Sequence, residues 1–125
     1  MKEKEINFYY QGKKIASLKC EVAKTLSQKM KGLMYREKLD KNKGMYFPFY
    51  LPWIRTFWMK NVKIPLDIIF VNRKNKIINI YEAPVENKIF SKIYISKGFC
   101  KYVIETNKGF CREKNIQNNY KIKIH

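Results

Sequence analysis

Phe57-Trp58-Met59-Lys60-Asn61-Val62-Lys63-Ile64-Pro65-Leu66-Asp67-Ile68-Ile69-Phe70 is the most apolar stretch of the sequence, and it carries polar groups inside it. A short, near-continuous run of β-branched and aromatic residues reads as strand covered on both faces, since such strands lose the alternation of polar and apolar positions. Pro65 divides the run, because proline donates no ladder hydrogen bond and belongs at a strand start or edge. The reading is a strand over 55–59, a bend over 60–64 and a second strand over 66–71. Such a bend brings Lys60, Asn61 and Asp67 close to the Trp58 ring, where a charge among apolar neighbours needs a partner or a ligand.

Outward from this stretch the pattern is mainly β. Residues 6–10 and 16–22 read as a hairpin around Gln11-Gly12-Lys13-Lys14, with Ala16, Leu18, Cys20 and Val22 alternating with polar positions. Thr25-Leu26-Ser27-Gln28 is a capping box, and Leu26, Met30, Leu33 and Met34 then share one face of a helix. Gly32 costs about 1 kcal/mol in a helix relative to alanine, which suggests close approach of another backbone. Residues 40–44 read as a turn, 45–47 as a short strand stopped by Pro48, and 49–54 as an aromatic loop covered by the domain itself. A hairpin joins 66–71 to 76–83 through Asn72-Arg73-Lys74-Asn75, and 84–95 reads as an irregular flap. The remainder predicts a strand at 102–106, one helical turn at 110–114 and a closing strand at 120–124. The expected fold is a small antiparallel sheet curled into a barrel with one amphipathic helix packed against it, an α+β arrangement in a single domain of residues 1–125.

Composition narrows the functional classes. The chain has 125 residues, 27 Lys and Arg against 10 Asp and Glu, and a formal net charge of +17. Such a balance draws a protein toward polyanions. The cations are mostly scattered lysines, however, and arginine, the better reader of phosphates and bases, occurs only at Arg36, Arg55, Arg73 and Arg112. Cys20, Cys100 and Cys111 form no C-x-x-C and read as small buried hydrophobes of a reducing compartment, although spacing alone allows a Cys100–Cys111 bridge. The only histidine is His125, which leaves little room for zinc or Ser-His and Cys-His chemistry, and no cofactor is implied. No segment approaches the ~20 apolar residues of a membrane-spanning helix, and no signal-peptide core follows Met1. The expected location is cytoplasmic, without membrane insertion.

Lys31-Gly32-Leu33-Met34-Tyr35-Arg36, Leu39, Gly44-Met45, Phe47, Phe57-Trp58-Met59-Lys60-Asn61 and Ile64-Pro65-Leu66-Asp67-Ile68-Ile69-Phe70 occur in an order that resembles a known family. Ser96-Lys97-Gly98, Tyr102-Val103-Ile104-Glu105 and Gly109 continue it. The resemblance is to the uncharacterised family catalogued as domain of unknown function 192, and it runs from about Cys20 to Ile124. It implies a compact, mostly β domain with no established activity. The chain departs from the pattern in two places. Lys29 stands where the family usually has an arginine, and Asn118-Asn119 stands where it tends to carry a Gly-Asp turn.

The candidate site residues are Arg36, Trp58, Lys60, Asn61, Asp67 and Glu105. Trp58 would be the apolar wall of a pocket, Lys60 and Arg36 an anion clamp, and Asn61 and Asp67 directional hydrogen bonders. The bland readings stand beside these: Arg36 as a helix C-terminal cap, Lys60 paired with Asp67 or Glu105, Trp58 as core. The leading expectation is a non-catalytic binder of a small polar or anionic ligand. One alternative is a nucleic-acid-binding barrel with a lysine-rich surface. Another is a hydrolase that uses Asp67 and Glu105, which requires the two carboxyls to meet in one cleft. Residues 49–54, if uncovered, would instead serve a protein partner.

Overall fold

The computed structural model describes residues 1–86 and 91–125. It is mainly β with two short helices: β1 (Glu3–Tyr10), β2 (Lys13–Val22), α1 (Leu26–Lys31), β3 (Lys43–Trp53), β4 (Thr56–Trp58), β5 (Leu66–Val71), β6 (Ile77–Ala83), β7 (Ile93–Ile95), β8 (Cys100–Asn107), α2 (Phe110–Lys114) and β9 (Lys121–Ile124). Seven strands form one sheet in the order β6-β5-β8-β3-β2-β1-β9, while β4 and β7 make a separate two-stranded ribbon.

Local chemistry explains the hairpins. Gln11 and Gly12 both have positive φ, the geometry of a two-residue turn whose twist matches its strands, and Tyr10 faces Lys13 across it. At the β5–β6 turn, Asn72 Oδ1 accepts from the backbone N–H groups of Lys74 and Lys76, and Asn75 takes the left-handed conformation.

Most ladders are antiparallel, but β2 and β3 run parallel. The expectation of an all-antiparallel sheet is corrected here: the segment containing α1 is a crossover, which parallel neighbours require. Among the described residues the sheet does not close into a barrel. The sheet's outer strands approach each other at one end, where Lys76 bridges Lys121 and Ile122 N–H donates to Asn75 O.

Both faces of the sheet are covered, as the unbroken burial of β5 requires. One core gathers Ile6, Phe8, Leu18, Cys20, Tyr46, Ile69, Ile104 and Phe110, with α2 against it. The other gathers Leu33, Met45, Phe47, Met59, Val62, Ile64, Ile68, Phe70 and Tyr94 beneath the segment after α1 and the β4–β7 ribbon. The three cysteines are free and buried.

Three further expectations change. β3 does not stop at Pro48 but continues through residues expected to form a loop. Its ladder to β8 is irregular between Pro48 and Trp53, so the prolines' missing N–H groups are not needed there. α1 has its capping box, with Thr25 and Gln28 satisfying each other's backbone N–H groups, but it ends at Gly32 and buries none of its residues. Leu26 and Met30 are exposed, and the apolar anchoring falls to Leu33, just beyond the helix. Within the expected flap over 84–95, residues 93–95 form β7, which pairs with β4, and 87–90 lie outside the described residues.

Candidate functional site

Of the sequence-derived candidates, Asp67 is the one set apart. Asp67 is fully buried on β5, where it accepts hydrogen bonds from the backbone N–H groups of Cys111 at 2.9 Å and Gly109 at 3.3 Å. It therefore holds the start of α2. Burial raises its pKa, and these bonds offset only part of the effect.

Glu105 is also buried, but on the other side of the sheet. Directly opposed residues share a face, and Glu105 opposes Met45 and Ile68, whereas Asp67 opposes Thr106 in the adjacent row. Consecutive positions on a strand point to opposite faces, so the two carboxyls lie on opposite sides of the sheet. This corrects the hydrolase alternative, which needs them in one cleft. Glu105 lies beneath Gly32, where a Cβ would stand 3.8 Å from its Oε1 and 3.4 Å from Phe47. That is the close approach expected of Gly32. Burial pushes the Glu105 carboxyl up to about 8, with no charge or hydrogen bond among the described residues offsetting it.

Arg36 is ion-paired with Glu21, two strands across the sheet from Glu105 on the same face. Asn61 adopts φ +60 in the turn after β4, donates to Tyr35 Oη and accepts from Tyr35 N–H. Those bonds tie the segment after α1 to the 59–62 turn. Lys60 is exposed and lies 5.4 Å from the Trp58 ring, and Trp58 is itself 48% exposed. Arg36 is thus engaged by Glu21, and Lys60 forms no ion pair with Asp67 or Glu105 among the described residues. The cleft that does contain Asp67, about 620 Å³, is lined by Tyr81, Glu82, Cys111 and Arg112, among others, and by none of Trp58, Lys60 and Asn61.

A different constellation comes together at the junction of α1, β3 and β4. The Phe49 ring carries the Arg55 guanidinium at 4.0 Å and the Lys29 ammonium at 5.4 Å. Neither cation is salt-bridged among the described residues. Arg55 donates one Nη2 bond to Leu51 O, while its Nε is buried and meets no acceptor among the described residues. Burial lowers the Lys29 pKa, and the Arg55 charge lowers it further. Two like charges thus lie against one aromatic ring and repel each other, which is costly without a counter-charge.

The surrounding sequence supplies none. Residues 22–36, 41–66 and 87–104 contain no aspartate or glutamate, so the segments that carry Lys29, Phe49 and Arg55 bring no acidic side chain of their own. Lys29, Phe49 and Arg55 carry no motif in the sequence, because each is ordinary alone. The legible signal was the absence of acidic residues across three segments, together with Lys29 at the position where the resembled family carries an arginine.

Residues 9–124 match the sequence profile of a family described as Uncharacterized ACR, domain of unknown function 192. Two solved structures share the fold. One is a “putative transcription regulator” from Sinorhizobium meliloti 1021, 28% identical, with a TM-score of 0.89 over 98% of this chain and 93% of that one. The other is a protein of unknown function from Novosphingobium aromaticivorans DSM 12444, 30% identical, with a TM-score of 0.87 over 95% of this chain and 83% of that one. No curated protein matches the chain.

Proposed function

The chain belongs to the uncharacterised family domain of unknown function 192, and from that premise we propose that it binds a small anionic ligand, carboxylate or phosphate, at the Lys29–Phe49–Arg55 cluster. The observation that carries the reading is the pair of cations held against one ring with no salt-bridged carboxylate among the described residues. An anion placed between them relieves their repulsion and accepts donors that the protein leaves unspent. Guanidinium presents a planar fork of donors suited to such oxygens, and ammonium adds a point charge. The ligand class is the one expected from the sequence, while the position moves from the Trp58–Asp67 stretch to the face of α1 and β3. Asp67 serves there as a helix cap and Asn61 as a turn residue.

The experiment is a thermal-shift titration with inorganic phosphate, citrate and nucleoside phosphates on wild type, Lys29→Gln and Lys121→Gln. Lys121 is an exposed lysine of β9. At least one anion stabilises wild type and Lys121→Gln alike, with about tenfold weaker affinity for Lys29→Gln, the loss of one charge-assisted contact. Equal response of all three proteins would assign the effect to diffuse charge and refute the site.

A further inference from the structure

Beside the cluster runs a strip of apolar side chains that the fold leaves uncovered. Tyr50 is 91% exposed, Trp53 63% and Trp58 48%, and Leu51, Ile54, Ile93, Ile95 and Phe99 are exposed with them. Chain and contacts join these residues. Tyr50 to Ile54 lead from the end of β3 into β4, Trp53 stacks on Phe99 at 5.7 Å with the rings nearly parallel, and Trp58 pairs with Ile93 across the ribbon. The ribbon turns Phe57 and Tyr94 inward to cover the core and presents Trp58, Ile93 and Ile95 outward. Contiguous exposed apolar side chains of this kind mark an interaction surface.

Charge decides the occupant. The strip lies wholly within segments that hold no acidic residue. Cations border it: Lys60 lies against Trp58, and Lys101 donates to Tyr50 O at 3.1 Å. Phe99 also lines a cleft of about 570 Å³ together with Pro52, Asn72, Arg73 and Lys74. Exposed tryptophan, tyrosine and branched aliphatic residues bordered by lysine suit the boundary between acyl chains and anionic headgroups. A nucleic acid accounts for the cations and the aromatic rings but leaves Leu51, Ile54, Ile93 and Ile95 without a role, since bases stack on flat rings.

We propose that this strip docks the protein on an anionic phospholipid surface, with Leu51, Trp53, Trp58 and Ile93 entering the headgroup region and the bordering lysines meeting lipid phosphates. This is adsorption to one leaflet: no helix among the described residues is long and apolar enough to cross a membrane. The inference is separate from the Phe49 cluster, whose ligand can bind or fail to bind without it.

The chain's two tryptophans both lie on the strip, so intrinsic emission reports on it directly. Wild-type protein is mixed with vesicles of phosphatidylcholine alone and of phosphatidylcholine with 30% phosphatidylglycerol. The expected result is a blue shift, protection from acrylamide and quenching by brominated acyl chains with the anionic vesicles only. Trp58→Ser with Ile93→Ser lowers vesicle affinity by about tenfold, read from the remaining Trp53, whereas Lys29→Gln keeps the blue shift. A protein of +17 charge can also adsorb through any face, in which case vesicles bind and the emission does not change. That outcome overturns the proposal. So does a blue shift with a single-stranded oligonucleotide and none with vesicles.

Discussion

Two buried carboxyls, Asp67 and Glu105, show how much a one-residue change in strand position matters. Asp67 faces α2 and is satisfied by two backbone N–H groups, so Asp67→Ala leaves both without an acceptor. Urea unfolding of that variant should show a loss of about 2–4 kcal/mol, with anion binding at Lys29 and Arg55 unchanged. Glu105 faces the opposite core and titrates near 8 in the folded protein, against 4.5 when unperturbed. Between those values the folded chain keeps a proton that the unfolded chain has released. Stability should therefore be highest below about pH 4.5 as far as this group is concerned, fall as pH rises toward 8, and level off above it. Glu105→Gln keeps the shape and cannot ionise, so unfolding measured from pH 5 to pH 9 should lose this decline, a difference on the order of 4 kcal/mol at the alkaline end. The sequence made Asp67 and Glu105 visible as polar groups in apolar strands. Which faces they share depends on the register of β5 against β8, a long-range pairing that no local pattern states.

At the scale of elements, the signals that were purely local proved legible. The Thr25 capping box, the Gln11-Gly12 turn and the double-sided burial of β5 all stand as the sequence reads. What failed depends on neighbours distant in the chain. The apolar face of α1 points Leu26 and Met30 outward, because the helix ends at Gly32 and Leu33 reaches the core instead. Pro48 does not end β3, because the irregular pairing with β8 spares the missing donor. Since α1 buries nothing, Thr25→Ala should cost about 1 kcal/mol locally. Hydrogen exchange at Gln28 and Lys29 should accelerate while the global unfolding midpoint stays nearly fixed. Gly44 is the contrasting case. A Cβ there would lie 2.5 Å from the backbone oxygen of Glu105, inside the β3–β8 ladder. Gly44→Ala should therefore destabilise the whole sheet by several kcal/mol or abolish soluble expression, measured as melting temperature beside Gly12→Ala, whose Cβ meets nothing within 4 Å but whose φ of +78 still strains it modestly.

Across the whole molecule, charge is unevenly laid out rather than merely high. Glutamates of β1, β2, β6 and α2 are paired with nearby cations or hydroxyls, as in Glu3–Lys19, Glu5–Ser17, Glu21–Arg36, Glu82–Arg112 and Glu113–Lys41. The segments forming α1, β3, β4 and β7 have no acidic residue to offer their cations. The net charge was readable at once, but its meaning required knowing that these segments meet at one end of the fold. Binding of an anion by Lys29 and Arg55 there is the proposed function. It is tested most directly by nuclear magnetic resonance of the arginine side chains, since the chain has only four arginines and Arg55→Lys assigns the signal that matters. Titrating citrate or phosphate into the labelled protein should move the Arg55 Nε–H resonance saturably while those of Arg36, Arg73 and Arg112 stay in place. Four resonances drifting together with ionic strength, or an Arg55 signal that never moves, would contradict the account.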